Sequence, residues 1–131
     1  MYATGGAITI NSSTISGNHA HDGAGIYSGG ATNNVGLRSR VTIANSTFEQ
    51  NEAHASGGGL LNGGDAQLIL TDITFADNKA GDEGAGLVNN GFASTDATRV
   101  TFSGQHCPRR RRRRLDRQHP SFDDSRFNFY G

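Results

Sequence analysis

Three copies of one short phrase constrain this chain more than any other feature. They read Thr14-Ile15-Ser16-Gly17-Asn18-His19-Ala20, Thr47-Phe48-Glu49-Gln50-Asn51-Glu52-Ala53 and Thr74-Phe75-Ala76-Asp77-Asn78-Lys79-Ala80. Each is followed by Gly-x-Gly and an aliphatic residue: Gly23-Ala24-Gly25-Ile26, Gly57-Gly58-Gly59-Leu60 and Gly84-Ala85-Gly86-Leu87. A fourth copy opens as Thr101-Phe102-Ser103-Gly104. The steps between copies are about 33, 27 and 27 residues, the signature of a repeat architecture in which each unit buries its face against the next.

Composition agrees with stacking rather than with a compact core. The 131 residues include 19 Gly and no Trp, and only 34% are hydrophobic. Large apolar side chains are too few to fill a conventional interior. Before each Asn phrase runs an alternating segment: Ile8-Thr9-Ile10, Val41-Thr42-Ile43, Leu68-Ile69-Leu70, and Arg99-Val100-Thr101-Phe102 in the fourth copy. Such residues at period two form strands with one face inward. The Gly-x-Gly-Ile/Leu segments read as a second short strand, ending in turns at Ser28-Gly29-Gly30, Asn62-Gly63-Gly64 and Asn89-Asn90-Gly91. No window carries a helical period.

The expected fold is therefore all-β, a right-handed parallel β-helix of three to four turns. Its units lie near residues 5–37, 38–64, 65–91 and 92–104, the last incomplete. The register stacks Ile15, Phe48, Phe75 and Phe102 inside and places Asn18, Asn51 and Asn78 in an amide ladder at a bend. The six extra residues of the first unit are assigned to a loop within Ala31–Arg40.

The recurring Thr-Phe/Ile-x-x-Asn-x-Ala followed by Gly-x-Gly-Ile/Leu resembles the repeats of right-handed β-helix proteins of the polymorphic outer-membrane and autotransporter-passenger type. The likeness covers roughly residues 5–104. It implies a fragment of a larger bacterial surface or secreted protein, located outside the cell or on the outer membrane. The implied role is structural or adhesive and non-catalytic, with adjoining coils and a host-surface or polysaccharide ligand as partners. The alternative is a fragment of a β-helix polysaccharide lyase, glycosidase or carbohydrate-binding module. No cofactor and no nucleic-acid partner is expected, and no segment spans a membrane. An export signal would lie outside this chain.

Residues 105–131 differ in kind. The first 105 residues carry four basic and nine acidic side chains, whereas the remainder carries eight Arg and three Asp. The tail opens Gln105-His106-Cys107-Pro108 and continues with Arg109 to Arg114. It reads as a disordered, basic, non-repeat segment. Back-translation suggests its origin: CAA CAC TGC CCG CGA CGG, shifted by one base, encodes Asn-Thr-Ala-Arg-Asp-Gly. The frame slip restores the missing phrase, and on that reading the Arg run has no evolved role.

Candidate sites are sparse. His21 and His54 each follow a ladder Asn by three residues and so share one bend, with His19 and Asp22 nearby. A transition metal would suit them, but the third unit has Gly81 there and no residue is identified to orient an imidazole. Solvent-facing polarity is the preferred reading, and no metal site is assigned. Asp77, Asp82 and Glu83 lack the Asp periodicity of calcium repeats. Arg38, Arg40 and Arg99 show no carboxylate partners in register, and no catalytic constellation forms. Asn11-Ser12-Ser13 and Asn45-Ser46-Thr47 match a glycosylation pattern but occupy one repeated bend.

Overall fold

A computed structural model describes residues 1–29 and 38–108. Over these residues the protein is all-β, and every strand pairing is parallel. The strands are β1 (Tyr2–Thr4), β2 (Gly6–Asn11), β3 (Thr14–Ser16), β4 (His19–Ala20), β5 (Ile26–Gly29), β6 (Ser39–Glu49), β7 (Glu52–Ala53), β8 (Leu60–Gly63), β9 (Gln67–Ala76), β10 (Lys79–Ala80), β11 (Leu87–Asn89) and β12 (Ser94–Ser103). They form three sheets, ordered β1-β5-β8-β11, β10-β7-β4 and β12-β9-β6-β2, with β3 also on β6. Successive units visit the sheets in the same sequence. No described helix is long and apolar enough to cross a membrane.

The long strands absorb two segments that the sequence had suggested were separated by a bend. β6 and β9 run through it, and the bend survives as a left-handed residue: Ser12, Asn45, Asp72 and Arg99 have φ of 50, 50, 55 and 51°. Before this kink Val41, Ile43, Leu68 and Leu70 point inward, and after it Phe48, Ile73 and Phe75 do. One non-glycine residue in the left-handed region costs roughly 1–2 kcal/mol. The kink lets both halves of the strand face one core.

That core follows the expected register. Ile15 pairs with Phe48, Phe48 with Phe75 and Phe75 with Phe102. The rings of Phe48 and Phe75 lie 5.0 Å apart, and those of Phe75 and Phe102 lie 4.9 Å apart at an angle of 7°. The second glycine of each Gly-x-Gly makes room for this stack. A Cβ on Gly59 would lie 2.5 Å from the Gly86 carbonyl and 2.7 Å from Phe75 Cδ1.

Three sequence expectations change. The stretches assigned to turns at Ser28-Gly29, Asn62-Gly63 and Asn89 belong to strands β5, β8 and β11. Their polar side chains point inward, where Asn62 Nδ2 donates to Asn89 Oδ1 at 2.8 Å and to the Ser94 carbonyl at 3.0 Å. The six-residue excess of the first unit is also two events. The register offset is 33 at Ala20↔Ala53 but 34 at Ile26↔Leu60, so the first unit lacks one residue at the intervening bend. Ten positions separate Gly29 from Ser39 where three separate Gly63 from Ala66, an insertion of seven. Most of the loop assigned to Ala31–Arg40 lies outside the described residues.

The third change concerns the C-terminal boundary. Residues 105–107 continue the repeat: Lys79 bridges His106 in parallel, and the Ala80 amide donates to the His106 carbonyl at 3.1 Å. Cys107 packs against the small-residue cluster of Ala24, Ala53, Ala80 and Ala85, at the place Ala80 holds one unit earlier. The expected disorder of the Arg-rich tail falls beyond Pro108, outside the described residues.

Candidate functional site

The amide ladder supports one corner of the structure and, beside it, the most functionally suggestive face. A left-handed residue precedes each rung, at Gly17, Gln50, Asp77 and Gly104, with φ of 65, 54, 51 and 63°. The turned backbone leaves groups that no strand neighbour can satisfy, and the amides take them. Asn51 Oδ1 accepts from the Asn18 backbone amide at 3.1 Å and from its side chain at 2.9 Å, while Asn51 Nδ2 donates to the Ile15 carbonyl at 2.8 Å. Asn78 repeats the pattern, accepting from Asn51 and donating to the Phe48 carbonyl at 2.9 Å.

Gln105 takes the fourth rung. Its Nε2 donates to the Phe75 carbonyl at 2.7 Å, the equivalent of the bonds made by Asn51 and Asn78. Its Oε1 is buried with no hydrogen-bond partner. The additional methylene lets the donor reach its carbonyl while the acceptor misses the amide below.

Immediately after the ladder comes the small sheet of β4, β7 and β10. Ala53 and Ala80 point inward, so the residues on either side of them point out. One outward row is His19, Glu52, Lys79 and His106, joined by register pairing at each step. The next comprises His21, His54, Gly81 and Pro108. All four histidines among the described residues therefore share this face. His19 Nδ1 lies 4.0 Å from Glu52 Oε2, and the rings of His21 and His54 lie 5.5 Å apart.

Gly81 interrupts the second row because a Cβ there would sit 2.0 Å from the His54 carbonyl. The resulting groove, about 230 Å³, is lined by Glu52, His54, Lys79, Gly81, His106 and Pro108. It is open along one side. A pocket that engulfs a drug-sized ligand is typically about 300–1,000 Å³ and largely enclosed, so this surface suits a laid-on ligand or an ion better.

Asp22 supplies what the sequence lacked. Its Oδ2 accepts from His21 Nδ1 at 2.7 Å, and its Oδ1 accepts from the Ser56 backbone amide at 3.1 Å. The carboxylate thus ties the bend carrying His21 to the bend carrying His54. Among the described residues, no three His, Cys, Asp or Glu side chains gather as a metal-binding group.

The arginines correct the sequence reading. Arg99 grips Asp72 in the adjacent unit with a two-pronged contact, Nε to Oδ1 at 2.5 Å and Nη2 to Oδ2 at 2.7 Å. The hydrogen bond from Arg99 holds the Asp72 carboxyl below its usual range, and the same bond raises the guanidinium. Arg38 lies 3.9 Å from Asp65, and Arg40 donates to Gln67 at 3.0 Å. Each partner is 27 positions away, the step of the repeat itself, so partners stand in register where the sequence reading assigned none. One carboxylate saturated by one guanidinium is a surface clasp, and it provides neither a paired-carboxylate site nor a free base.

Comparison with protein-family models, with curated proteins and with solved structures returns no match to this chain.

Proposed function

We propose that this chain is a segment of a right-handed parallel β-helix. On this reading it is a non-catalytic structural or adhesive rod within a larger bacterial surface or secreted protein. The observation that carries the fold is the common offset of the pairings. Between the second and third units it is 27 positions in each of the three sheets. A hairpin-built sandwich would pair neighbouring strands antiparallel at shorter separations. Parallel crossovers within one sheet are overwhelmingly right-handed, which supports the right-handed reading. The repeat phrases and their likeness to polymorphic outer-membrane and autotransporter-passenger repeats support the location and the adhesive role.

The ligand-facing surfaces of such a rod are its outer sheet faces and bends, and its other partners are adjoining coils of a longer chain. The alternative as a lyase or glycosidase fragment needs facing carboxylates, and the Asp72–Arg99 clasp does not supply them.

The experiment is to express the chain with its neighbouring coding sequence and incubate it with acidic and neutral polysaccharides. Expected is retention on at least one immobilised glycan or host-cell surface, with no release of reducing ends or unsaturated products. Product release that disappears in Asp72→Asn would overturn the non-catalytic reading.

A further inference from the structure

We propose that His21 and His54 form a two-imidazole site for a borderline transition-metal dication such as Zn²⁺, Ni²⁺ or Cu²⁺. The two side chains project from equivalent bends of neighbouring units, exposed and with rings 5.5 Å apart. Two imidazoles on one tetrahedral metal, each with a metal–nitrogen bond of about 2.1 Å, have ring centres roughly 5.3 Å apart. The observed separation is therefore close to a coordinating one before any metal binds.

The tautomer is set as well. Donation of Nδ1–H from His21 to Asp22 leaves the Nε2 lone pair of His21 free to ligate. Carboxylate–imidazole–metal relays of this kind fix the ring and raise its basicity. Asp22 is itself held by the Ser56 amide, two residues beyond His54, so the orienting group is anchored to the second ligand's bend. Gly81 follows His54 in the row and contributes no side chain, leaving room for the remaining coordination positions. Water, or a donor from a bound partner, fills them. Neutral imidazole nitrogens select Zn, Ni and Cu over Ca and Mg, and nearby Asp22 and Glu52 favour a cation over an anion.

The test uses the full chain carrying Cys107→Ser, which removes the thiol as a competing ligand. Calorimetric titration with Zn²⁺ should give one site per chain. His21→Ala and His54→Ala should each weaken binding at least about tenfold, and Asp22→Asn by about 10–100-fold. His119→Ala, at a histidine outside the described residues, should leave affinity unchanged. A second measurement needs no ligand substitution: imidazole resonances of the chain titrated with Zn²⁺ should move at His21 and His54 alone. Affinity unchanged from the parent in either alanine variant, or resonance shifts centred on His106 or His119, would overturn the proposal.

Discussion

The inner ladder asparagines hold together the backbone at one corner of the structure. Asn51 and Asn78 are fully buried, and each amide satisfies a backbone donor and a backbone carbonyl at once. Asn78→Ala would remove the side-chain partner and strand the buried Asn51 amide and Phe48 carbonyl. Each unsatisfied buried group costs about 1–3 kcal/mol, so a loss of about 3 kcal/mol in chemical denaturation is expected. Gln105→Asn runs the other way. A shorter amide brings the orphaned acceptor back over the Asn78 backbone, and a gain of about 1 kcal/mol should appear as a raised denaturation midpoint.

At the same scale, Asp72 offers a titration. Its folded pKa is lowered by the Arg99 hydrogen bond, so the stabilisation is present above the unfolded carboxylate pKa and disappears as pH falls through the folded value. The clasp therefore matters at neutral pH and fades only in acid below the usual carboxylate range. Arg99→Gln should move the Asp72 carboxyl titration upward in nuclear magnetic resonance. An unmoved titration would mean the clasp does not persist in solution.

At the scale of elements, each strand is kept in place by what its neighbours leave open. The Phe stack needs Gly59 beneath it, because the Gly86 carbonyl and the Phe75 ring occupy the space a methyl would take. Gly59→Ala should destabilise the protein by about 1–3 kcal/mol through overpacking, measured against Gly17→Ala, where a Cβ meets nothing within 4 Å. That control carries the cost of a positive φ that Gly59 does not have, so the difference between the two is a lower bound on the packing cost. The kinked strands β6 and β9 show how a polar bend read from Asn45-Ser46 can sit inside a continuous ladder. Ser46 donates to the Ala44 carbonyl at 2.7 Å, bridging the kink locally while strand pairing resumes on both sides.

For the whole molecule, burial rises toward the middle. Phe48, Ile43, Leu68, Leu70 and Phe75 are fully buried, whereas Ile8, Ile10, Ile15 and Phe102 in the outer units are only partly so. Stability in stacked units is a sum of unit and interface contributions, so the ends should open first. Amide hydrogen exchange should find β6 and β9 the most protected, with β2 and β12 exchanging faster. Uniform protection across all four units would contradict this and point to one all-or-none unit.

The sequence by itself determined the repeat and its inward positions. Parallel stacking at a fixed offset forces like residues into vertical rows, so Asn18, Asn51 and Asn78, and likewise Phe48, Phe75 and Phe102, announced their positions by recurrence. Gln105 and Cys107 could be seen to stand where Asn and Ala are due, but that they fill those places was not legible, because their residue types differ from the ones they replace. The tertiary structure alone decided which unlike side chains, within a row or between rows, make contact. Arg99 lies one step above Asp72 in a single row, but the clasp between them, and the bridge that Asp22 makes from His21 to the Ser56 amide, depend on side-chain reach. Recurrence reveals which residues stack, since backbone pairing enforces it. Contacts between unlike residues on neighbouring units carry no repeating signal, and only the folded geometry brings them together.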